Sequence, residues 1–127
     1  MTPQDELSAR VRGFLERHIN TVAELEGLLL VRLDPARRWD AAQLGRRLYV
    51  DEGSAWEVLQ ALHRQGLLVR DDGGFRYAPE TETLYDEVNE LAGSYPRFLI
   101  PITTLIHTKP RAALRGFLDA FRLREDK

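Results

Sequence analysis

Cysteine is absent from the 127-residue sequence, which excludes a disulfide framework, a thiolate metal site and a cysteine nucleophile. The longest apolar run is far shorter than the roughly 20 residues that a membrane-spanning helix needs. The first residues are polar and acidic, without the apolar core of a signal peptide. Together these absences predict a cytoplasmic protein with no membrane partner.

A basic excess, which is typical of proteins that bind nucleic acid non-specifically, is also absent. The sequence holds 18 basic and 20 acidic residues, so its formal net charge is −2. This total conceals two opposite blocks, because residues 80–90 carry five acids and no base whereas residues 97–124 carry six bases and one acid. Such blocks can attract each other within a chain or between two copies. The net charge therefore says little about any one face.

Catalytic and metal-binding patterns are missing as well. His18, His63 and His107 lie far apart in the sequence, with no spacing typical of metal ligands. The three serines lack the setting of a nucleophile elbow. The sequence therefore predicts neither an enzyme nor a bound metal or cofactor.

The hydrophobic fraction of 43% is enough for a packed core. Two helices are predicted first. Apolar residues recur at helical spacing over residues 5–19, and Thr21 with Glu24 gives the T-x-x-E pattern of a capping box. The helix that Thr21 opens is apolar on more than one face, which places it in the core, and Asp34-Pro35 ends it.

Two further short helices follow. The first is predicted over Ala41–Leu48, with Gly45 as the small residue at which another helix can cross closely. Residues 51–53 are predicted as an acidic turn, and Ser54 as the N-cap of a helix that ends at Gly66. The chain then changes to strand character.

A β-hairpin is predicted directly after these helices. Residues 67–69 and 75–77 are strand-like, and Asp71-Asp72-Gly73-Gly74 between them is a hairpin turn of the Asp-Gly type. Pro79 closes the second strand.

This order of two short helices, a glycine and a hairpin resembles the winged helix-turn-helix of bacterial transcription regulators such as the MarR-like families. The resemblance covers about residues 37–79. It rests on AAQLGRRL as the positioning helix, GSAWEVLQALHRQGLL as the recognition helix and LVRDDGGFRY as the wing. It implies a mainly α fold with a small β-hairpin wing and additional C-terminal helices. It also implies a dimer that regulates transcription by binding duplex DNA.

In the family, the recognition helix enters the major groove and its exposed side chains meet the bases. On this basis Gln60 is predicted to read adenine, Arg64 to contact guanine or phosphate, and Ser54 to bond a phosphate at the helix N-terminus. The positioning helix and the wing supply further contacts to phosphate or to the minor groove. The predicted DNA-contacting residues are Arg46, Arg47, Ser54, Trp56, Gln60, Arg64, Arg70 and Arg76.

Five acidic residues lie in the segments that would face DNA. A carboxylate near a phosphate is repulsive, and DNA affinity depends on basic residues that displace counterions. Residues 32–76 contain eight arginines and seven acids, a net charge of only +1. The five acids are Asp51, Glu52, Glu57, Asp71 and Asp72.

Two aromatic residues also depart from the family pattern. A large exposed ring at Trp56 is typical of an anchor in a protein interface. Alternatively, this ring folds onto the wing or onto Trp39. Tyr49 stands where such motifs often have glycine, so we expect a wider turn. The second hypothesis is therefore a winged-helix protein-interaction module without DNA affinity, in which Trp56 and Glu57 face the partner.

Residues 80–127 are predicted to form a helical extension to a domain at residues 1–79. An acidic helix over residues 81–91 is followed by the apolar stretch 98–106, which is either an edge strand or a helix with Pro101 near its start. An amphipathic helix, RAALRGFLDAFRLRE, follows.

This extension carries more apolar surface than a winged helix needs. In related regulators, terminal helices build a two-fold dimer, so we expect a homodimer. The alternatives are that the helices close the monomer's own core or that they form a groove for another protein. The predicted dimerisation residues are Leu84, Val88, Leu91, Phe98, Leu105, Leu114, Phe117 and Phe121.

Overall fold

The computed structural model describes residues 7–108 of the chain. Over this range the fold is mainly helical with one small antiparallel sheet of two strands, which confirms the predicted helical class with a hairpin. None of the helices in this range is both long enough and apolar enough to cross a membrane. The elements are α1 (Ala9–His18), α2 (Val22–Arg32), α3 (Ala41–Leu48), α4 (Glu52–Arg64), β1 (Leu68–Asp71), β2 (Gly74–Tyr77), α5 (Glu82–Ser94) and α6 (Leu99–Thr108).

Side-chain caps fix where the helices begin. The hydroxyl of Thr21 accepts a hydrogen bond from the N–H of Glu24 at 3.0 Å, which confirms the predicted cap of α2. The Glu24 carboxylate in turn accepts from the N–H of Asn20 at 2.9 Å, and this bond satisfies a buried acid. Asp40 and Gln43 form a capping box at α3.

The predicted start of α4 is wrong by three residues. Asp51, and not Ser54, is the N-cap, and its carboxylate accepts from the N–H of Ser54 at 2.9 Å. Both residue types are good caps, but a helix that begins at Asp51 gains a further turn and places Glu52 at its positive N-terminus. The acidic segment 51–53 is therefore the cap and first turn of α4 and not a separate turn.

The link between α3 and α4 is tight. Only three residues join the two helices, and Val50 donates its N–H to the carbonyl of Gly45 at 3.0 Å. The expected wider turn is not present, because Tyr49 adopts the left-handed conformation that glycine usually provides (φ 59°, ψ 43°). This conformation costs a residue with a Cβ about 1–2 kcal/mol.

Gly45 allows the close approach that its position predicts. A Cβ at Gly45 would lie 2.9 Å from the carbonyl oxygen of Val50 and 3.6 Å from the Cβ of Ala55 on α4. The packing between α3 and α4 thus depends on a residue without a side chain at this point.

The hairpin is tied to the helices through Trp39. β1 and β2 pair in the register Leu68↔Tyr77 to Asp71↔Gly74. The N–H of Trp39 donates to the carbonyl of Phe75 at 2.7 Å, and the N–H of Phe75 donates back at 2.9 Å. Trp39 therefore adds a short third strand-like segment beside β2, and this segment holds the hairpin next to α3 and α4.

A single core joins the N-terminal and C-terminal helices. α5 and α6 pack on α1, and their buried residues belong to the same hydrophobic cluster as the buried residues of α1 to α4. Residues 99–106 thus belong to a helix and not to an edge strand, and Phe98 directly precedes that helix. Pro101 is compatible with α6 because it lies in the first turn, where no N–H needs an intrahelical partner.

Candidate nucleic-acid interface

One face of α4 is buried and the other is open. Ala55, Val58, Leu59 and Leu62 pack into the core, in agreement with the apolar spacing of the sequence. The opposite face borders a depression of about 550 Å³ whose lining includes three of the predicted DNA-contacting residues. These three are Trp56, Gln60 and Arg64.

Trp56 of α4 packs against the hairpin, and part of its ring remains exposed. Its ring meets that of Phe75 edge to face, with centroids 5.7 Å apart. The guanidinium of Arg70 lies 5.1 Å from the centre of the Trp56 ring and 5.3 Å from that of Phe75. Trp56 remains 38% exposed. The structure therefore brings Trp56 and Arg70, on α4 and β1, into one cation–π cluster.

A second aromatic ring supports arginines next to α3. The guanidinium of Arg37 lies 3.7 Å from the centre of the Trp39 ring, and that of Arg47 lies 5.7 Å from it. Trp39 itself is buried. Because Trp39 is bonded to β2, Arg47 is placed relative to the hairpin as well as to its own helix.

Four arginines around α4 have no carboxylate partner among the described residues. Arg46 and Arg64 are exposed, and neither forms an ion pair within residues 7–108. The other two lie against aromatic rings, which orient a guanidinium without neutralising its charge. We call this group the α4-side arginines: Arg46, Arg47, Arg64 and Arg70.

At the hairpin tip, unlike at the α4-side arginines, the arginines lie close to a carboxylate. Arg38 donates to Asp71 at 2.9 Å, and the guanidinium of Arg76 lies 3.8 Å from the same carboxylate. The hydrogen bond from Arg38 holds the pKa of Asp71 below its usual range and raises that of Arg38. Arg76, a predicted DNA contact, is therefore partly compensated. Arg38 was not among the predicted site residues, although the Arg-Arg pair before Trp39 is visible in the sequence.

Ser54 is engaged within the fold. Its hydroxyl donates to the Asp51 carboxylate at 2.5 Å, and this bond, with that from its N–H, lowers the pKa of Asp51. A carboxylate therefore already occupies the N-terminus of α4, where the sequence suggested that Ser54 binds phosphate. We do not retain Ser54 as a phosphate contact.

The five acids of this region fall into two groups. Asp51 caps α4, and Asp71 is paired with arginine. The other three are exposed and have no cationic partner within the described range. These three are Glu52, Glu57 and Asp72.

The predicted dimerisation residues that the structure describes are buried or partly buried in the chain's own core. Val88 and Leu91 are fully buried in the chain's own core, so at these two positions the helices close the monomer. Leu84, Phe98 and Leu105 are partly buried against that core. Three others lie outside the described residues: Leu114, Phe117 and Phe121.

Two apolar side chains that were not predicted as dimerisation residues are more exposed than those that were. Leu33 is 74% exposed at the end of α2, and Ile100 is 71% exposed on α6. Residues of α2, α3 and α5 line a mostly apolar groove of about 510 Å³, and Arg47 is among them. Its apolar lining comprises Leu29, Leu30, Leu33, Leu48, Ala92, Tyr95 and Pro96.

Two of the three histidines have contacts within the fold. The Nδ1 of His18 is hydrogen-bonded to Gln65 at 2.7 Å, and the ring of His63 packs against Phe75. Within residues 7–108, no group of three potential ligands is arranged to hold a metal ion.

Comparisons with protein-family models, with curated proteins and with solved structures give no match for this chain.

Proposed function

We propose that this protein is a winged helix-turn-helix transcription regulator that binds duplex DNA with α4 as its recognition helix. The observation that carries the proposal is the set of α4-side arginines, which have no carboxylate partner within residues 7–108; Arg64 borders the open face of α4, and Arg70 contacts Trp56 on that helix. Uncompensated arginines gain free energy by displacing counterions from phosphates. The element order also supports the proposal, since helix, tight turn, helix and hairpin is the arrangement of this motif.

Each part of this face has a chemical role in the proposal. α4 lies in the major groove, where the amide of Gln60 matches the donor and acceptor edge of adenine. Arg46 and Arg47 neutralise phosphates along one strand, and Arg64 does so at the far end of α4. Arg70 on β1 reaches a flanking phosphate or the minor groove, and the Trp56 ring holds it in place.

The acids tied into the fold weaken the main objection to DNA binding. Asp71 forms ion pairs with Arg38 and Arg76, and Asp51 caps the N-terminus of α4, the positive end of the helix dipole. The carboxylate of Glu57 remains beside Gln60 in the depression. In this proposal Glu57 reduces affinity for phosphate and so limits non-specific binding.

A binding titration over a series of salt concentrations tests this proposal. The protein is titrated against a fluorescently labelled duplex of mixed sequence, and affinity is read by anisotropy. We expect affinity to fall steeply as the salt concentration rises. The slope of log affinity against log salt should be smaller in magnitude by about 1 in Arg46→Ala and in Arg47→Ala. The matched control is Arg12→Ala, an exposed arginine on α1, which should leave the slope unchanged. Absence of wild-type binding at low salt would overturn the proposal.

A second candidate is a winged-helix protein-interaction module without DNA affinity. The exposed part of Trp56 favours it, as does Glu57, which has no cationic partner within residues 7–108, since a ring bordered by charge is typical of a protein anchor. The same titration separates the two candidates. A protein that does not bind duplex DNA at low salt supports the interaction module.

We also propose that the regulator acts as a homodimer. The exposed Leu33 and Ile100 and the apolar groove lined by residues of α2, α3 and α5 support an association surface. Analytical ultracentrifugation over a range of protein concentrations tests this proposal. A purely monomeric protein at concentrations where DNA is bound would contradict it.

A further inference from the structure

Tyr49 is the only residue other than glycine with a positive φ among residues 7–108. It is also 94% exposed, more than any other large hydrophobic side chain in this range. A left-handed residue after a helix is normally glycine, because a Cβ is unfavourable there. The tight turn therefore tolerates Tyr49 without requiring its side chain.

The ring of Tyr49 gives the fold almost no buried surface in return. The turn itself is held by backbone hydrogen bonds, from the N–H groups of Tyr49 and Val50 to the carbonyl of Gly45. A glycine or an asparagine could make the same bonds with less strain. Strain at a fully exposed aromatic residue points to a contact outside the chain.

The surroundings of Tyr49 indicate what it contacts. Arg46 lies three residues before it, is exposed, and has no carboxylate partner in the described part of the chain. Tyr49 also lies two residues before Asp51, the cap of α4. A tyrosine hydroxyl donates hydrogen bonds to phosphate oxygens, and its rigid ring loses little conformational entropy on binding.

We propose that Tyr49 is a phosphate-contacting residue, whose hydroxyl donates a hydrogen bond to a phosphate of duplex DNA adjacent to the one that Arg46 neutralises. This inference rests on the proposed DNA-binding function. It adds a neutral contact to the α4-side arginines and explains why a strained tyrosine occupies the turn.

The test combines binding and stability in Tyr49→Gly, Tyr49→Asn and Tyr49→Phe. Duplex of mixed sequence is titrated at several salt concentrations, and thermal unfolding is followed by circular dichroism. We expect Tyr49→Gly and Tyr49→Asn to raise the unfolding midpoint by a few degrees and to weaken binding about fivefold. Tyr49→Phe should weaken binding to a similar extent with an unchanged midpoint. The salt slope should stay at the wild-type value, because tyrosine carries no charge, whereas Arg46→Ala lowers it.

The outcomes separate this inference from the proposed function. If the wild type binds no duplex DNA, both fail. If the wild type binds and all three variants bind equally well, only the role of Tyr49 fails. A lowered unfolding midpoint in both Tyr49→Gly and Tyr49→Asn would show that the fold needs the ring, and it would also overturn the inference.

Discussion

Arg17 and Arg46 are both exposed arginines on short helices, but their surroundings differ. Arg17 on α1 donates to Glu87 of α5 at 2.8 Å, and the Glu87 side chain is 6% exposed. Arg46 on α3 has no carboxylate partner within residues 7–108. The first arginine satisfies a buried charge within the fold, and the second is not compensated by any carboxylate of the described residues.

The same difference separates two groups of arginines. One group binds polar groups of α5: Arg10 lies 3.8 Å from Glu90, and Arg32 donates to Asn89 at 3.0 Å. We call these the α5-bound arginines: Arg10, Arg17 and Arg32. They join α5 to α1 and α2, whereas the α4-side arginines pair with no carboxylate within residues 7–108. Part of the acidic block at residues 80–90 is thus paired within the chain, at Glu87 and Glu90.

The largest effect is expected where the geometry of the α4 side depends on close packing. In Gly45→Ala, the new Cβ would lie 2.9 Å from the carbonyl oxygen of Val50. Because that oxygen belongs to the backbone, the turn must shift, and we expect a loss of about 1–3 kcal/mol in the free energy of unfolding. Urea denaturation measures this loss. The matched control is Gly93→Ala on α5, where nothing lies within 4 Å of the new Cβ, and stability there should rise slightly. Equal effects in both variants would contradict the account.

A smaller loss of stability should distinguish the two groups of arginines directly. Arg17→Ala leaves the buried Glu87 carboxylate without its partner, so we expect a loss of about 1–2 kcal/mol, reduced because Arg17 itself is exposed. Arg46→Ala should change stability by less than about 0.5 kcal/mol. Urea denaturation of both variants tests this contrast. It is refuted if Arg46→Ala is the more destabilising change.

Asp71→Asn should leave the arginines at the hairpin tip without a carboxylate partner from Asp71, as the α4-side arginines are. The change removes a negative charge and releases Arg38 and Arg76 from an ion pair. We expect duplex affinity to rise about threefold, with a steeper dependence on salt. Asp34→Asn, an exposed acid beyond the end of α2, is the control and should have no effect. An unchanged affinity in Asp71→Asn would place the hairpin tip away from DNA.

The smallest effect is a dependence of stability on pH. Hydrogen bonds from Ser54 and Arg38 lower the pKa values of Asp51 and Asp71 in the folded protein. Each carboxylate therefore contributes stability above its unfolded pKa of about 3.9, and this contribution is lost as pH falls through the folded pKa. Urea denaturation from pH 7 to pH 3 should show declining stability. The decline should be shallower in a variant with Asp51→Asn and Asp71→Asn, and an identical pH dependence would contradict this assignment.

Local structure was predictable where a few neighbouring residues decide it. The cap at Thr21, the helix over Ala41–Leu48 and the close approach at Gly45 all follow from short-range sterics and hydrogen bonding. The start of α4 was not predictable in this way. Asp51 and Ser54 are both good caps three residues apart, so the length of the helix selects between them.

The candidate site was less predictable, because its character depends on contacts between distant parts of the chain. Its residue types were visible in the sequence, but the pairing of Arg38 with Asp71 spans 33 positions and that of Arg17 with Glu87 spans 70. These pairings decide which charged side chains are left without an ion-pair partner among residues 7–108. The strained conformation of Tyr49 likewise belongs to the tight link between α3 and α4. The glycine that such motifs often have at this position was its only signal, and it led to the expectation of a wider turn.

The central claim is that the α4-side arginines bind phosphate and the α5-bound arginines do not. The most direct measurement compares the salt dependence of duplex binding in two double variants that each remove two positive charges. Arg46→Ala with Arg64→Ala should reduce the slope of log affinity against log salt by about 2. Arg10→Ala with Arg17→Ala should leave it at the wild-type value. Equal slopes in the two double variants would contradict the claim.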